Sequence, residues 1–193
     1  MNTKRRLKKR YFIIFITFIL FILVIPIFIG GYSISESLVV RYSFPKIDDG
    51  EIVYEKKFED DKVIVWKTDN ESIIKLIERE WGVFYRSNYF GVIHTLTPDK
   101  KMRLTRSVRG YNHKSTLIGA EILDKEIVKV IVSIHDRHKN ISSLSEAKEK
   151  SNVYIEMDVK NGYAAHYSYL NSTNVGSFTF LGLNSGGEVI SIN

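Results

Sequence analysis

Val153-Tyr-Ile-Glu-Met-Asp-Val-Lys160, Asn161-Gly162 and Tyr163-Ala-Ala-His-Tyr-Ser-Tyr-Leu170 together form the stretch on which the fold turns. Two runs rich in β-branched and aromatic residues flank an Asn-Gly pair. Such runs favour strands, and Asn-Gly supplies the two positive φ angles of a type I′ turn. The two-residue loop pairs Lys160 with Tyr163 and Met157 with His166. Alternation then puts Val153, Ile155, Met157 and Val159 on one face, and Tyr154, Glu156, Asp158 and Lys160 on the other. The first face is the core side.

The same signals continue in both directions. Downstream, Ser177–Leu183, the Asn184-Ser-Gly-Gly187 turn and Glu188–Ile192 make a closing hairpin. Upstream, Thr116–Leu123 and Ile127–Ile134 read as strands split by Asp124-Lys125-Glu126, and Ser143–Lys150 as a short helix capped by Ser143 or Ser145. Phe90–Leu96 and Met102–Val108 read as a hairpin around Thr97-Pro98-Asp99-Lys100. Lys62–Thr68 is a further strand. Ser72–Glu80 fits both a helix face and a strand. Its strand-like neighbours favour strand, with Gly82 as a bulge or kink and Val83–Asn88 continuing it. Many short strands with frequent turns predict a mainly β domain over residues 50–193, a β-sandwich or an open barrel.

Before that domain stands a different chemistry. Lys4, Arg5, Arg6, Lys8, Lys9 and Arg10 form a basic tail, residues 1–10, without a single acid. Phe12–Ile29 follows as a charge-free run broken only by Thr17 and Pro26, flanked by Tyr11 and Tyr32. At about 1.5 Å per residue this length just crosses a hydrocarbon core of about 30 Å. Residues 11–32 are therefore expected to be one transmembrane helix, with the basic tail cytoplasmic and the rest outside. A cleaved signal peptide is the competing reading, with Ser33-Ile34-Ser35 as an imperfect small-x-small site. The run is longer than the usual signal core of about 7–15 residues, which argues for retention. Residues 33–49, punctuated by Pro45 and Asp48-Asp49-Gly50, read as a stalk.

The 193-residue chain has room for one domain and this extra element. Its net charge of +6 belongs to the tail. The 28 Lys and Arg less those six leave 22, against 22 Asp and Glu, so the remainder is neutral and no nucleic-acid surface is expected. With no cysteine, disulfides, thiolate metal sites and thiol nucleophiles are excluded. Scarce alanine and abundant Ile, Lys and Asn suit AT-rich codons and a low-GC Gram-positive source.

His135-Asp-Arg-His138 is the one dense constellation. On a strand end, however, positions i and i+3 fall on opposite sides, and a third metal ligand is not evident. Ser, His and Asp occur without a nucleophile elbow, and Ser185-Gly-Gly187 lacks the rest of a phosphate loop. His94, His113 and His166 are scattered. The aromatic cluster Trp81–Gly91 stands out: one side of it is expected in the core, and Trp81, Tyr85, Arg86 and Tyr89 are the candidates for a binding face. No catalytic residue, cofactor or metal is called.

Three stretches carry a resemblance: Lys62–Trp66 leading to Trp81-Gly-Val-Phe-Tyr-Arg86, Ile118–Val130, and Phe178–Ile190. In these the chain resembles small uncharacterised single-pass envelope proteins of Bacillus-like Firmicutes, which have a basic tail, one hydrophobic segment and a β-rich exported domain. The resemblance implies architecture and location, not activity. The expectation is a protein of the cell membrane, held in the bilayer by one helix, its extracytoplasmic domain a non-catalytic module for a protein partner at the envelope. The alternatives are an exported enzyme or metal-binding protein using His135 and His138, and a small regulatory subunit of a membrane complex.

Overall fold

The computed structural model describes residues 10–21, 24, 31–43, 49–94, 100–111, 113–171, 173 and 176–193. The protein is mainly β, with eleven strands among the described residues. β1 (Glu51–Phe58), β2 (Asp61–Lys67), β3 (Glu71–Glu80) and β4 (Phe84–His94) form a sequential antiparallel sheet. β5 (Met102–Arg109), β6 (His113–Ile122) and β9 (Tyr163–Asn171) form a second, in the order β5-β6-β9. β7 (Lys129–His135), β8 (Val153–Asp158), β10 (Ser177–Leu183) and β11 (Val189–Ile192) form a third, in the order β11-β10-β7-β8.

The sheets pack as three layers with β5-β6-β9 in the middle. Leu117, Tyr163, Ala165 and Tyr167 of the middle sheet pack against Val63, Val65, Ile74 and Leu76 of the first. Met102, Ile118, Ala120 and Ala164, on its other face, pack against Val130, Val132, Ile155, Met157 and Phe180 of the third. A sheet covered on both faces reads as a continuous apolar run rather than an alternating one. That is the pattern of Leu117-Ile-Gly-Ala120. The fold class expected from sequence is thus right in being mainly β, and the layers are three rather than the two of a sandwich.

Each outer sheet carries a short helix on its far face. Glu36–Tyr42 lays Val39 and Val40 on Ile64, Trp66, Ile73 and Ile77. The segment expected as a stalk therefore has a docked helix at its centre. Leu144–Lys150 starts where Ser143 accepts a hydrogen bond from the Glu146 amide, and it packs Ala147 on Ile131, Leu181 and Leu183.

Two expected hairpins differ. Phe90 pairs with Lys75, and Met102 with Ile122, so β4 and β5 belong to different layers. The expected turn at residues 97–99 lies outside the described residues. At Asn161-Gly162, φ angles of 54° and 78° make the expected turn, and Lys160 and Tyr163 exchange both backbone hydrogen bonds. The strands then part: Met157 pairs with Val130, and His166 with Ile118. The turn is a corner between layers rather than a hairpin tip. Ser72–Glu80 is strand, as expected, but Trp81-Gly82-Val83 is a tight turn, so β3 and β4 fold back on each other.

Among the described residues no helix is long and apolar enough to cross a membrane. Residues 10–21 are helical, and every side chain there is exposed. Residues 22, 23 and 25–30 of the expected span lie outside the described residues, as do Lys4, Arg5, Arg6, Lys8 and Lys9.

Candidate interaction surface

The turn between β3 and β4 organises the region. Trp81 and Gly82 have φ angles of 49° and 74°, and the Val83 amide donates to the Glu80 carbonyl over 3.3 Å. Glycine adopts this backbone freely, whereas a tryptophan there is strained. The indole is 71% exposed, yet it is not loose. It stacks on Tyr32 at 5.6 Å and meets Phe84 edge-on at 5.9 Å.

Tyr32 is held from two directions. Ser33 and Tyr85 exchange two backbone hydrogen bonds of 2.8 and 2.7 Å, which adds residue 33 to the edge of the sheet beside β4. The Tyr32 hydroxyl donates to Glu80 Oε2 over 2.8 Å and accepts from Arg86 Nη1 over 3.0 Å. The bond to Glu80, then burial, raises its pKa. The Arg86 guanidinium lies 5.1 Å over the Tyr32 ring, with Nη2 2.6 Å from Glu80 Oε1 and Nε 3.4 Å from Glu78 Oε2. Burial pushes the Glu78 carboxyl up, and Arg86 opposes that shift. One cation between two carboxylates is a clamp with its charge already answered, so it offers little to an anionic ligand.

The four residues expected as a binding face do not share one. Trp81 is exposed. Arg86 is engaged in the clamp. Tyr85 packs with the Glu36–Tyr42 helix cluster and lies under Arg79. Tyr89 is buried between the first and middle sheets, and its hydroxyl donates to the Ser115 carbonyl over 2.8 Å. The cause is an irregularity in β4. Leu76 pairs with Tyr89 and Glu78 with Arg86, so β4 has one more residue than β3 across that step and the alternation slips.

Beside the clamp, a cleft of about 600 Å³ runs between the helix and β4. Tyr32, Leu38, Tyr42 and Phe90 give it apolar walls, with Ser87, Asn88 and Arg109 as polar neighbours. Ser87 Oγ is buried there without a hydrogen bond. Under the same helix lies Lys75, fully buried, its Nζ donating to the carbonyls of Val40 and Ser43 and to Ser43 Oγ at 3.1–3.3 Å. A cation at a helix C-terminus meets the negative end of the backbone dipoles, which explains the site. Burial still lowers its pKa to about 8. Sequence reading named Tyr32 only as a flank of the apolar run, without its contacts to Trp81, Glu80 and Arg86, and it missed Lys75. A lysine between Ile73 and Ile77 on one strand face is the only signal the sequence held for the latter.

The histidines do not assemble a centre. His135 is buried, with Nδ1 3.0 Å from the Asp136 carbonyl and Nε2 3.0 Å from Thr179 Oγ1, so both nitrogens are used within the protein. His138 is exposed on the following turn. Among the described residues no group of three His, Asp or Glu is placed to hold a metal ion. His166 stands edge-on to Phe58 at 5.7 Å, and burial, then the charge of Lys56, lowers its pKa to about 4. The side chains of residues 94 and 113 lie outside those described. A further polar group sits between the first and middle sheets: Arg103 on Glu121 at 3.2 Å, Tyr163 donating to Glu121, and Ser72 bonded to Tyr163. Its members bond to one another, and Arg103 Nε is left buried without a hydrogen bond. Comparison with protein-family models, curated proteins and solved structures finds no match to this chain.

Proposed function

We propose that the protein is a single-pass membrane protein whose β domain is displayed outside the cytoplasm as a non-catalytic interaction module. The observation that carries this reading is the helix at residues 10–21. Its side chains are almost all apolar, every one is exposed, and none packs on the domain. A helix that is hydrophobic all round needs an apolar environment, and a bilayer is one that a basic flank orients. Six cations precede the run, and the remainder of the chain carries no net charge. The module reading is supported by His135, His166 and Glu121, whose contacts lie within the fold.

The test is a C-terminally tagged chain expressed in a wall-bearing bacterium. The tag is expected in the membrane pellet after alkaline carbonate extraction, and external protease is expected to remove it once the wall is digested. A tag recovered in the culture medium, with an N-terminus near Ser35, refutes the anchor. A tag protected from protease refutes the orientation.

A further inference from the structure

The anchored reading leaves open how the domain stands relative to the lipid, and the exposed apolar residues address that. From residue 31 onward, twelve large hydrophobic side chains are exposed among the described residues, and five of them lie in two short segments: Ile34, Leu38 and Tyr42, and Trp81 and Val83. The two segments meet. Tyr32 stacks on Trp81, and Tyr32, Leu38 and Tyr42 line one cleft. We propose that the Trp81-Gly82-Val83 turn, with Ile34, Leu38 and Tyr42, rests in the headgroup layer of the bilayer, so that the domain lies against the lipid surface rather than standing off on a stalk. The proposal rests on the anchor reading.

Where the apolar run ends decides the occupant. Only Gly30 and Gly31 separate Ile29 from Tyr32. A fully extended chain covers about 3.3–3.6 Å per residue, which puts Tyr32 at most about 10 Å from the end of the run. Trp81, in contact with Tyr32, is held at that same depth. Trp and Tyr favour the membrane–water boundary, where the ring meets acyl chain and the N–H or O–H meets water. The backbone gives an independent reason. Asn or Gly suits the left-handed conformation of position 81 better than tryptophan, and the indole is not there to fill a core. Arg79 adds a cation at the turn. Its guanidinium, bonded to the Gly82 carbonyl, is exposed and keeps N–H groups for lipid phosphate.

The full chain, reconstituted in phosphatidylcholine–phosphatidylglycerol vesicles whose lipids carry nitroxides near the headgroup, tests this through tryptophan emission. The protein has two tryptophans, and Trp66 is buried. The chain is expected to sediment with the vesicles and to lose roughly half its emission, the share of one tryptophan in two. Trp81→Asn, a residue that suits the turn, is expected to leave an emission that the labelled lipid does not quench. Val83→Asp, at a second exposed position, is expected to weaken the quenching of Trp81. Vesicle-bound protein with unquenched emission overturns the docking and spares the anchor. Quenching that survives Trp81→Asn assigns it to Trp66 and overturns the docking, as does quenching that Val83→Asp leaves unchanged. Protein remaining in the supernatant overturns the anchor, and the docking falls with it.

Discussion

Lys75 and His166 give the fold a pH dependence that can be read residue by residue. An unfolded lysine keeps its proton up to about pH 10.4, whereas Lys75 releases it at about 8. Between these values the unfolded chain binds the extra proton, so raising the pH stabilises the fold. In urea melts Lys75 is expected to contribute stability that grows as the pH rises above about 8, a contribution that Lys75→Met removes. The sign is the same for His166 in another window. It is neutral in the fold down to about pH 4, while the unfolded imidazole protonates near 6.5. Stability is expected to fall as the pH drops from about 6.5 to 4, and His166→Phe is expected to remove that part of the loss. Neither role was legible in the sequence. Lys75 shares a strand face with Ile73 and Ile77, but the sequence does not say that the Glu36–Tyr42 helix, concealed in what looked like a stalk, covers it.

At the scale of elements, Asn161-Gly162 shows what a local signal can and cannot specify. Two residues dictate the positive φ angles and the Lys160–Tyr163 pair. They do not say how far the ladder continues, because core packing draws β8 and β9 into different layers. The faces were legible all the same, since alternation is a property of one strand: Ile155 and Met157 are buried, and Glu156 and Asp158 exposed. Trp81-Gly82 makes a comparable turn that the sequence hid, because tryptophan is not the residue such a turn prefers. Three substitutions follow, each measured by urea melts. Gly162→Val is expected to cost about 1–3 kcal/mol through backbone strain at φ 78°. The space itself is open, with the Ile122 carbonyl oxygen 3.6 Å from the added Cβ. Met157→Ala is expected to cost about 2–5 kcal/mol by leaving a cavity. Glu156→Ala removes an exposed ion pair with Lys129 and a hydrogen bond with Tyr154, and is expected to cost about 0–1 kcal/mol.

At the scale of the molecule, the layers interlock through glycines chosen for space. A Cβ on Gly119 would come within 2.8 Å of Ile74 Cδ1 and 3.2 Å of Thr105 Cγ2, and one on Gly91 within 2.7 Å of Thr105 Oγ1. The first and middle sheets thus approach with Ile74 and Thr105 wedged between two bare backbones. Gly119→Val is expected to overpack this contact and cost about 1–3 kcal/mol, seen as a lower urea midpoint with an unchanged slope. The number of layers was not legible in the sequence. It depends on both faces of β6 being covered, and a run such as Leu117-Ile-Gly-Ala120 names neither partner.

The pairing of β6 with β9 and of β7 with β10 interleaves along the chain, so each pairing closes a loop that carries a strand of the other sheet. Among the described residues, β1, β2 and β3 pair only with their neighbours in sequence. The molecule should therefore breathe unevenly. Native-state hydrogen exchange is expected to release the amides of β6, β7, β9 and β10 together, at the free energy of global unfolding. Those of β1 and β2 can open sooner, peeling from one edge while the interleaved half stays shut. A lower-energy opening confined to β9 or to β10 alone contradicts that coupling.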